Sequence, residues 1–437
     1  MCIGVSAASE GNPDMHTYAI IGGTLWGNRG AEAMVVTTVG RIREREPDAR
    51  FLILSYQYER DVALVDDPDV AVLDAGPVTT ATAHFPFAVL CWLLRRVGIR
   101  VPGALLPQTV RQLRGCRALF DVTGISFHDG RLAVVAYNLL CLWPALLLGV
   151  PVVRLSQAMG PFRHRLNRLP AREVLKHCFH SFARGRHTAD YVRQLDVPSE
   201  RWSVAADVAF AYDPAFTLTR ENEEHVAEVS HRIRMLCEQG TEVVALVPSS
   251  LVLKKSRAEG SDYVGVLRRL VRALHGWGYH VLVMPNATSE GTDTLRNNDI
   301  VVVDELRERL GAESDGVDGD GLTFVDFDLN TRAIRSLLGP TELVITSRFH
   351  AMVAALALGI PTLVLGWSHK YEEVLEMFDC ADVALDFSEA DKQLIPLTEQ
   401  LLRETDARRE RIDAAGDDVH RSANSQFDVF DQLPPRR

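Results

Sequence analysis

The chain has 437 residues, 47% of them apolar and 24% charged, and a formal net charge of −11. That length exceeds a single core and predicts two domains, while the acidic balance argues against a nucleic-acid-binding protein. Seven cysteines, an odd number with no close pair, point to reduced thiols in a cytoplasmic protein rather than to a disulfide framework or a zinc site.

Residues 1–15 lack the basic segment and long apolar run of a signal peptide and read as a disordered leader. "TYAIIGG" (17–23) is the first predicted strand, followed by a Gly-rich loop and a helix over 31–45. "RFLILSY" (50–56) is the next strand. "FPFAVLCWLLRRVGIRV" (Phe85–Val101) is an apolar helix ending in Arg95 and Arg96; a core helix is the favoured assignment, and peripheral contact with a membrane surface the alternative. "ALFDVTG" (118–124) is a strand. Leu132–Val153 approaches membrane-spanning length, but Asn138, Pro144 and the "GVPVV" turn favour a buried crossover helix followed by a strand over 150–157. A helix over 169–178 and a strand over 181–185 complete the first half.

The second half repeats the alternation. Strands are expected at 242–250, 280–286, 299–304, 322–327, 342–347 and 361–367, and helices at about 261–277, 330–338 and 348–358. The acidic loop 311–322, with Asp315, Asp318 and Asp320, misses the calcium-loop spacing and reads as solvated. The expected fold is α/β, with two Rossmann-like doubly wound domains facing across a cleft, as in GT-B enzymes. The first domain spans 16–210 and the second 211–388. Residues 389–437 form a helix and tail packing back toward the first.

"SRFHAMVAALALGIPTLVLGWSHKY" (347–371) carries the sharpest chemical signal. Its apolar middle predicts a buried crossover helix and a strand. Arg348 and His350 are expected in the first turn of that helix, where free N–H groups and the dipole favour an anion, and Lys370 emerges from the same sheet edge. Together with Ser347 they suit a small anion bearing phosphate, carboxylate or both. The alternative is that Arg348 and Lys370 are solvated and His350 is a satisfied local donor. His369 receives no role.

In the first half, "GNRGAEAM" (27–34) is neither a dinucleotide fingerprint nor a P-loop; Asn28 and Gly30 offer close backbone approach, and Glu32 sits in the first helical turn. "DVTGISFHDG" (121–130) brings Ser126 and Asp129, "SQAMGPF" (156–162) brings Gln157, and "FARGRHTADYV" (182–192) brings Arg184. Each is a polar group at a strand's carboxyl end, and each is equally explained by a cap or turn.

Taken in order with "DVAF" (207–210), these segments resemble the polysaccharide pyruvyl transferase family from about Tyr18 to Leu385. The resemblance implies transfer of pyruvate from phosphoenolpyruvate to a sugar, giving a ketal in cell-envelope or exported polysaccharide. It departs from the family at Ala31, where many relatives carry Asp, and at Pro285-Asn286, where some have Pro-His. On this reading Arg348, Lys370, Ser347 and Arg184 hold the donor, and His350 is the acid. Glu32 and Asp129 handle hydroxyls, and Asn28, Gly30, Ser126 and Gln157 face the acceptor, a saccharide or lipid-linked saccharide. No metal and no cofactor beyond phosphoenolpyruvate as co-substrate is expected, and the site of action is the cytoplasm, at the inner face of the membrane for a lipid-linked acceptor. Two other readings stay open: a GT-B nucleotide-sugar glycosyltransferase and a non-catalytic relative.

Overall fold

The computed structural model describes residues 15–130, 132–220, 223–289, 297–311, 321–366 and 369–435. Two parallel sheets organise it. The first contains β1 (Thr17–Ile21), β2 (Arg50–Ser55), β3 (Val70–Asp74), β4 (Ala118–Asp121), β5 (Ile125–Ser126), β6 (Val152–Met159), β7 (His180–Arg184) and β8 (Trp202–Ala205). Their order is β3-β2-β1-β4-β6-β7-β8, with β5 pairing β6 beyond the end of β4. The second contains β9 (Val243–Val247), β10 (His280–Val283), β11 (Leu322–Phe324), β12 (Leu343–Thr346), β13 (Thr362–Gly366) and β14 (Ala384–Asp386), in the order β11-β10-β9-β12-β13-β14.

Helices cover both faces of each sheet, so the central strands are apolar on both sides. In β1, Ile20 pairs with Ile53 of β2 and Phe120 of β4, and all three are essentially inaccessible. Strand order reverses between β1 and β4 and between β9 and β12. Crevices at the carboxyl ends of the strands open at such switch points, which directs attention to the loops after these strands.

One apolar core runs without a break through the domain interface, with Phe210 and Phe378 rings 5.5 Å apart. The chain then returns to the first sheet. The helix Thr405–Asn424 brings Ser422 to accept from the Ala206 N–H at 3.0 Å, and the turn after it lays Phe430 on Tyr18 at 5.3 Å.

Three expectations need correction. Residues 299–304 are not a strand: Ile300–Gly311 is a helix burying Val302, Val303, Leu306 and Leu310 on one face. The edge of β10 that such a strand would occupy is taken by β11. The strands β3, β5, β8 and β14 were not expected; β5 is a two-residue pairing with β6, and the other three lie at sheet edges, where part of the strand faces water and no long apolar run is required. The helix Phe85–Arg96 is not a core helix, because only Ala88 and Cys91 are buried against the neighbouring helix Leu132–Leu148. That neighbour is the crossover helix leading into β6, as its Gly/Pro pattern implied. The leader as far as residue 14 and residues 312–320 of the acidic loop lie outside the described residues.

Candidate active site

The carboxyl end of β12 carries Ser347 and Arg348 into the helix Phe349–Ala357. This helix is apolar on every face, and seven of its nine residues are buried. Its entry is therefore pinned by the surroundings, and Arg348 is its N-cap rather than a member of its first turn. Arg348 Nε donates to Asp299 Oδ2 at 2.8 Å, and Nη2 binds Asp299 Oδ1 and Ser250 Oγ, the latter at 3.1 Å. Asp299 is itself held by the N–H groups of Ser250 and Ala287, each at 2.9 Å. Ser347 Oγ is hydrogen-bonded to the Tyr263 hydroxyl at 2.8 Å and is buried with it.

His350, in the first turn, faces the other domain. A Cβ placed on Gly30 would lie 1.9 Å from His350 Nδ1, so the imidazole occupies the space that only glycine leaves open. The other ring nitrogen, Nε2, is 3.9 Å from Asp207 Oδ2. Arg184, at the end of β7, donates from Nη1 to the same Oδ2 at 2.6 Å and lies 4.6 Å over the Phe349 ring. Asp207 is fully buried, and its Oδ1 accepts the Ala209 N–H at 3.0 Å. Burial pushes its carboxyl up, but the Arg184 guanidinium and His350 outweigh that and hold it below the usual carboxylate range. Arg184 at the end of β7, Asp207 just after β8 and His350 beyond β12 thus form one cluster.

Glu32 is placed otherwise than a group that meets acceptor hydroxyls. It is 1% exposed; Oε1 accepts from Thr219 Oγ1 at 2.6 Å, and Oε2 from Thr331 N, Thr331 Oγ1 and Arg29 Nη1, each at 3.1 Å. Arg29 also pairs with Asp328. Thr331 and Asp328 belong to the second domain, so this knot ties the domains together. Asn28 is the N-cap of Arg29–Arg45, accepting from Ala31 N at 3.4 Å.

Ser126 and Gln157 are likewise inward. Ser126 Oγ donates to Gln157 Oε1 at 2.7 Å and accepts from Arg154 Nη2 at 2.7 Å, and all three residues are buried. Arg154 Nε pairs with Asp121 at 3.2 Å, closing a satisfied network inside the first sheet. Asp129 is half-buried and accepts from Arg163 N at 2.8 Å and Asn167 Nδ2 at 2.9 Å. Partial burial pushes its carboxyl up, but these donors outweigh that and hold it low. The backbone of Lys370 lies in the first turn of the helix His369–Glu376, after β13; its side chain is outside the described structure.

Three site residues were not singled out from the sequence. Asp207 had a signal, being the first residue of "DVAF". Asp299 stood in a run read as a strand. Arg335 gave none: buried in the interface, it donates to the Ala209 carbonyl at 2.8 Å and lies 4.6 Å over the Tyr212 ring. Among the described residues it has no carboxylate partner, and burial pulls its guanidinium down to about 10 despite nearby Tyr212. Among the described residues no group of three His, Cys, Asp or Glu could hold a metal ion.

The two parallel sheets with helices on both faces define a GT-B-type, two-domain α/β fold. Solved structures with this fold include UDP-GlcNAc 2-epimerase from Neisseria meningitidis bound to UDP-GlcNAc, with 10% identity, 95% of this chain and 100% of that chain covered, and a TM-score of 0.55. They also include Anabaena HepE in complex with UDP-glucose, with 12% identity, 95% and 100% covered, and a TM-score of 0.52. The trehalose 6-phosphate synthase of Burkholderia multivorans has 13% identity, 97% and 100% covered, and a TM-score of 0.52. The family model described as Polysaccharide pyruvyl transferase matches residues 28–369, and the chain belongs to that family of transferases.

Proposed function

We propose that the protein transfers a pyruvyl group from phosphoenolpyruvate to two hydroxyls of a saccharide in the cytoplasm, forming a ketal and releasing phosphate. The observation that carries this reading is the convergence of Arg184 and His350 on Asp207, with Arg348 at the N-cap of the same helix as His350. A donor with a phosphate and a carboxylate needs cations from more than one direction, and the interface supplies them from both domains.

The Arg348–Asp299 pair uses Nε and Nη2, and among the described residues no partner takes Nη1, which is assigned to a donor oxygen. Lys370 follows the neighbouring strand and is assigned to the same anion. His350 is the acid: it protonates the methylene carbon of the enol ester, creating an oxocarbenium-like centre at the adjacent carbon. One sugar hydroxyl adds there and loses its proton. A second hydroxyl then displaces phosphate, which leaves with the remaining proton. The reduction of the methylene to a methyl is balanced by the oxidation of the adjacent carbon to the ketal level, so the reaction involves no net redox change and calls for no redox cofactor. Imidazole suits this traffic because its ordinary pKa lies near neutrality. Asp129, the more accessible of the two carboxylates first considered, keeps the role of orienting hydroxyls. Glu32, Ser126 and Gln157 are assigned to structure, because they are fully buried and their polar atoms are engaged inside the protein.

The test is incubation with phosphoenolpyruvate and candidate saccharides. Phosphate release with a new ketal methyl signal is expected, and His350→Gln should abolish both while leaving the melting curve intact. Thermal protection by a UDP-sugar but not by phosphoenolpyruvate would instead favour a glycosyltransferase.

A further inference from the structure

Between Ala75 and Phe120 the chain carries six arginines and no aspartate or glutamate, although acidic residues outnumber basic ones 58 to 47 overall. The segment includes the continuous helical stretch Pro77–Arg96, long and apolar enough by composition to cross a membrane. Only 22% of its apolar window is buried. Leu90, Leu93, Val97, Ile99 and Leu105 are exposed, Val97 by 70% and Leu105 by 69%. A helix this apolar would ordinarily be inside a domain.

Beside this surface is a cavity of about 730 Å³ at the amino edge of the first sheet. Arg95, Arg100, Arg114, Arg117 and Arg201 line it, together with apolar side chains that include Leu147, and no carboxylate is among the lining residues. Arg117 is neutralised by Glu46, whereas among the described residues Arg95 and Arg114 reach only backbone carbonyls, of Leu147, Leu148 and Val101. Arg96 lies 4.3 Å over the Trp92 ring, a cation and an aromatic together at the rim of the apolar patch.

We propose that this corner docks on an anionic phospholipid surface. The exposed leucines, Val97 and Ile99 enter the headgroup boundary, and the arginine-lined cavity takes a lipid phosphate. Exposed apolar residues flanked by cations are the pattern of interfacial helices, and each Arg near an anionic surface adds to the attraction. The local charge opposes that of the whole chain, which selects an anionic surface over an apolar partner alone. Arg117, Pro151 and Phe179 precede β4, β6 and β7, whereas Arg184 ends β7 and Arg348 follows β12. Docking at the amino edge therefore leaves the interdomain cleft open. The inference is independent of the pyruvyl-transfer reading, and its test contains no catalytic readout.

The experiment is flotation of the full chain with vesicles of phosphatidylcholine alone and of an equimolar phosphatidylcholine–phosphatidylglycerol mixture, at low and high salt. Binding is expected on the mixed vesicles only, weakened by salt. Leu93→Asp and Arg100→Glu should each lower it about tenfold or more, with unchanged melting curves because both side chains are exposed. Absence of binding to the mixed vesicles at low salt would overturn the proposal. So would binding indifferent to both substitutions. A dimer in light scattering that Leu93→Asp dissolves, without vesicle binding, would overturn it too and assign the patch to a second copy of the chain.

Discussion

Gly30 of the first domain and His350 of the second share one volume: a methyl group on Gly30 would overlap the imidazole, 1.9 Å from Nδ1. The glycine looked like a place for a ligand to approach the backbone. The side chain that approaches it is the proposed acid. Gly30→Ala should therefore displace His350 and open the interface. A fall in turnover of about a hundredfold is expected, in line with misplacement by about 1 Å. A fully active Gly30→Ala enzyme would separate His350's position from catalysis.

Asp207→Asn removes the charge that faces both Arg184 and His350. It leaves a buried guanidinium without its counterion, which costs about 3 kcal/mol. Chemical denaturation checks the stability. A pH–rate profile checks positioning, because loss of the carboxylate should move the limb assigned to His350 toward lower pH.

The same carboxylate predicts an acid limb in stability. Its folded pKa lies below its ordinary value, held there by Arg184, so the unfolded chain binds protons more readily. The stabilisation is present above the unfolded pKa, about 3.9, and is lost as pH falls through the lower folded value. Asp382, depressed by Arg408, has the same sign. Melting temperatures of the parent and Asp207→Asn should converge as the pH falls below about 4.

Arg335 is a buried cation with a carbonyl and a ring for company. Replacing such a charge with an apolar side chain of similar length removes a desolvation cost. Arg335→Met is expected to stabilise the protein by about 1 kcal/mol in urea titrations. Destabilisation, or a raised apparent Km for phosphoenolpyruvate, would show that the charge is retained for a ligand.

Ser126→Ala tests the inward assignment of the Arg154 network. It removes one acceptor of a fully buried guanidinium and should lower stability by about 1–3 kcal/mol. The Km for the saccharide should not change. An altered Km with unchanged stability would return Ser126 to the acceptor side.

Much of this site was legible one βαβ unit at a time. The apolar run 349–357 could only be a crossover helix, and its cationic start had to sit at a strand's carboxyl end. That reasoning placed Arg348 and His350 at the carboxyl end of β12, and the strand pattern placed Arg184 at the end of β7. It failed where a polar residue at a strand end turns inward: Ser126 and Gln157 have the same local surroundings as a ligand-facing group, and only the buried Arg154 shows otherwise. It failed again at 299–304, where a β-branched run forms a helix because the sheet edge it would join is taken by β11.

The sequence by itself determined the alternation of strands and helices, the family motifs and the residues at the carboxyl ends of the central strands. Periodicity and turn chemistry act over a few residues and are written in the chain. Only the tertiary structure decided that His350 fills the space beside Gly30, that Glu32 ties the domains and that Arg348 is held by Asp299. Each of those pairings joins separate elements, and the first two join opposite domains. Burial and counter-charge are set by packing, so residues with equal promise in sequence become a catalytic candidate, a structural pin or an isolated cation according to what the other domain brings against them.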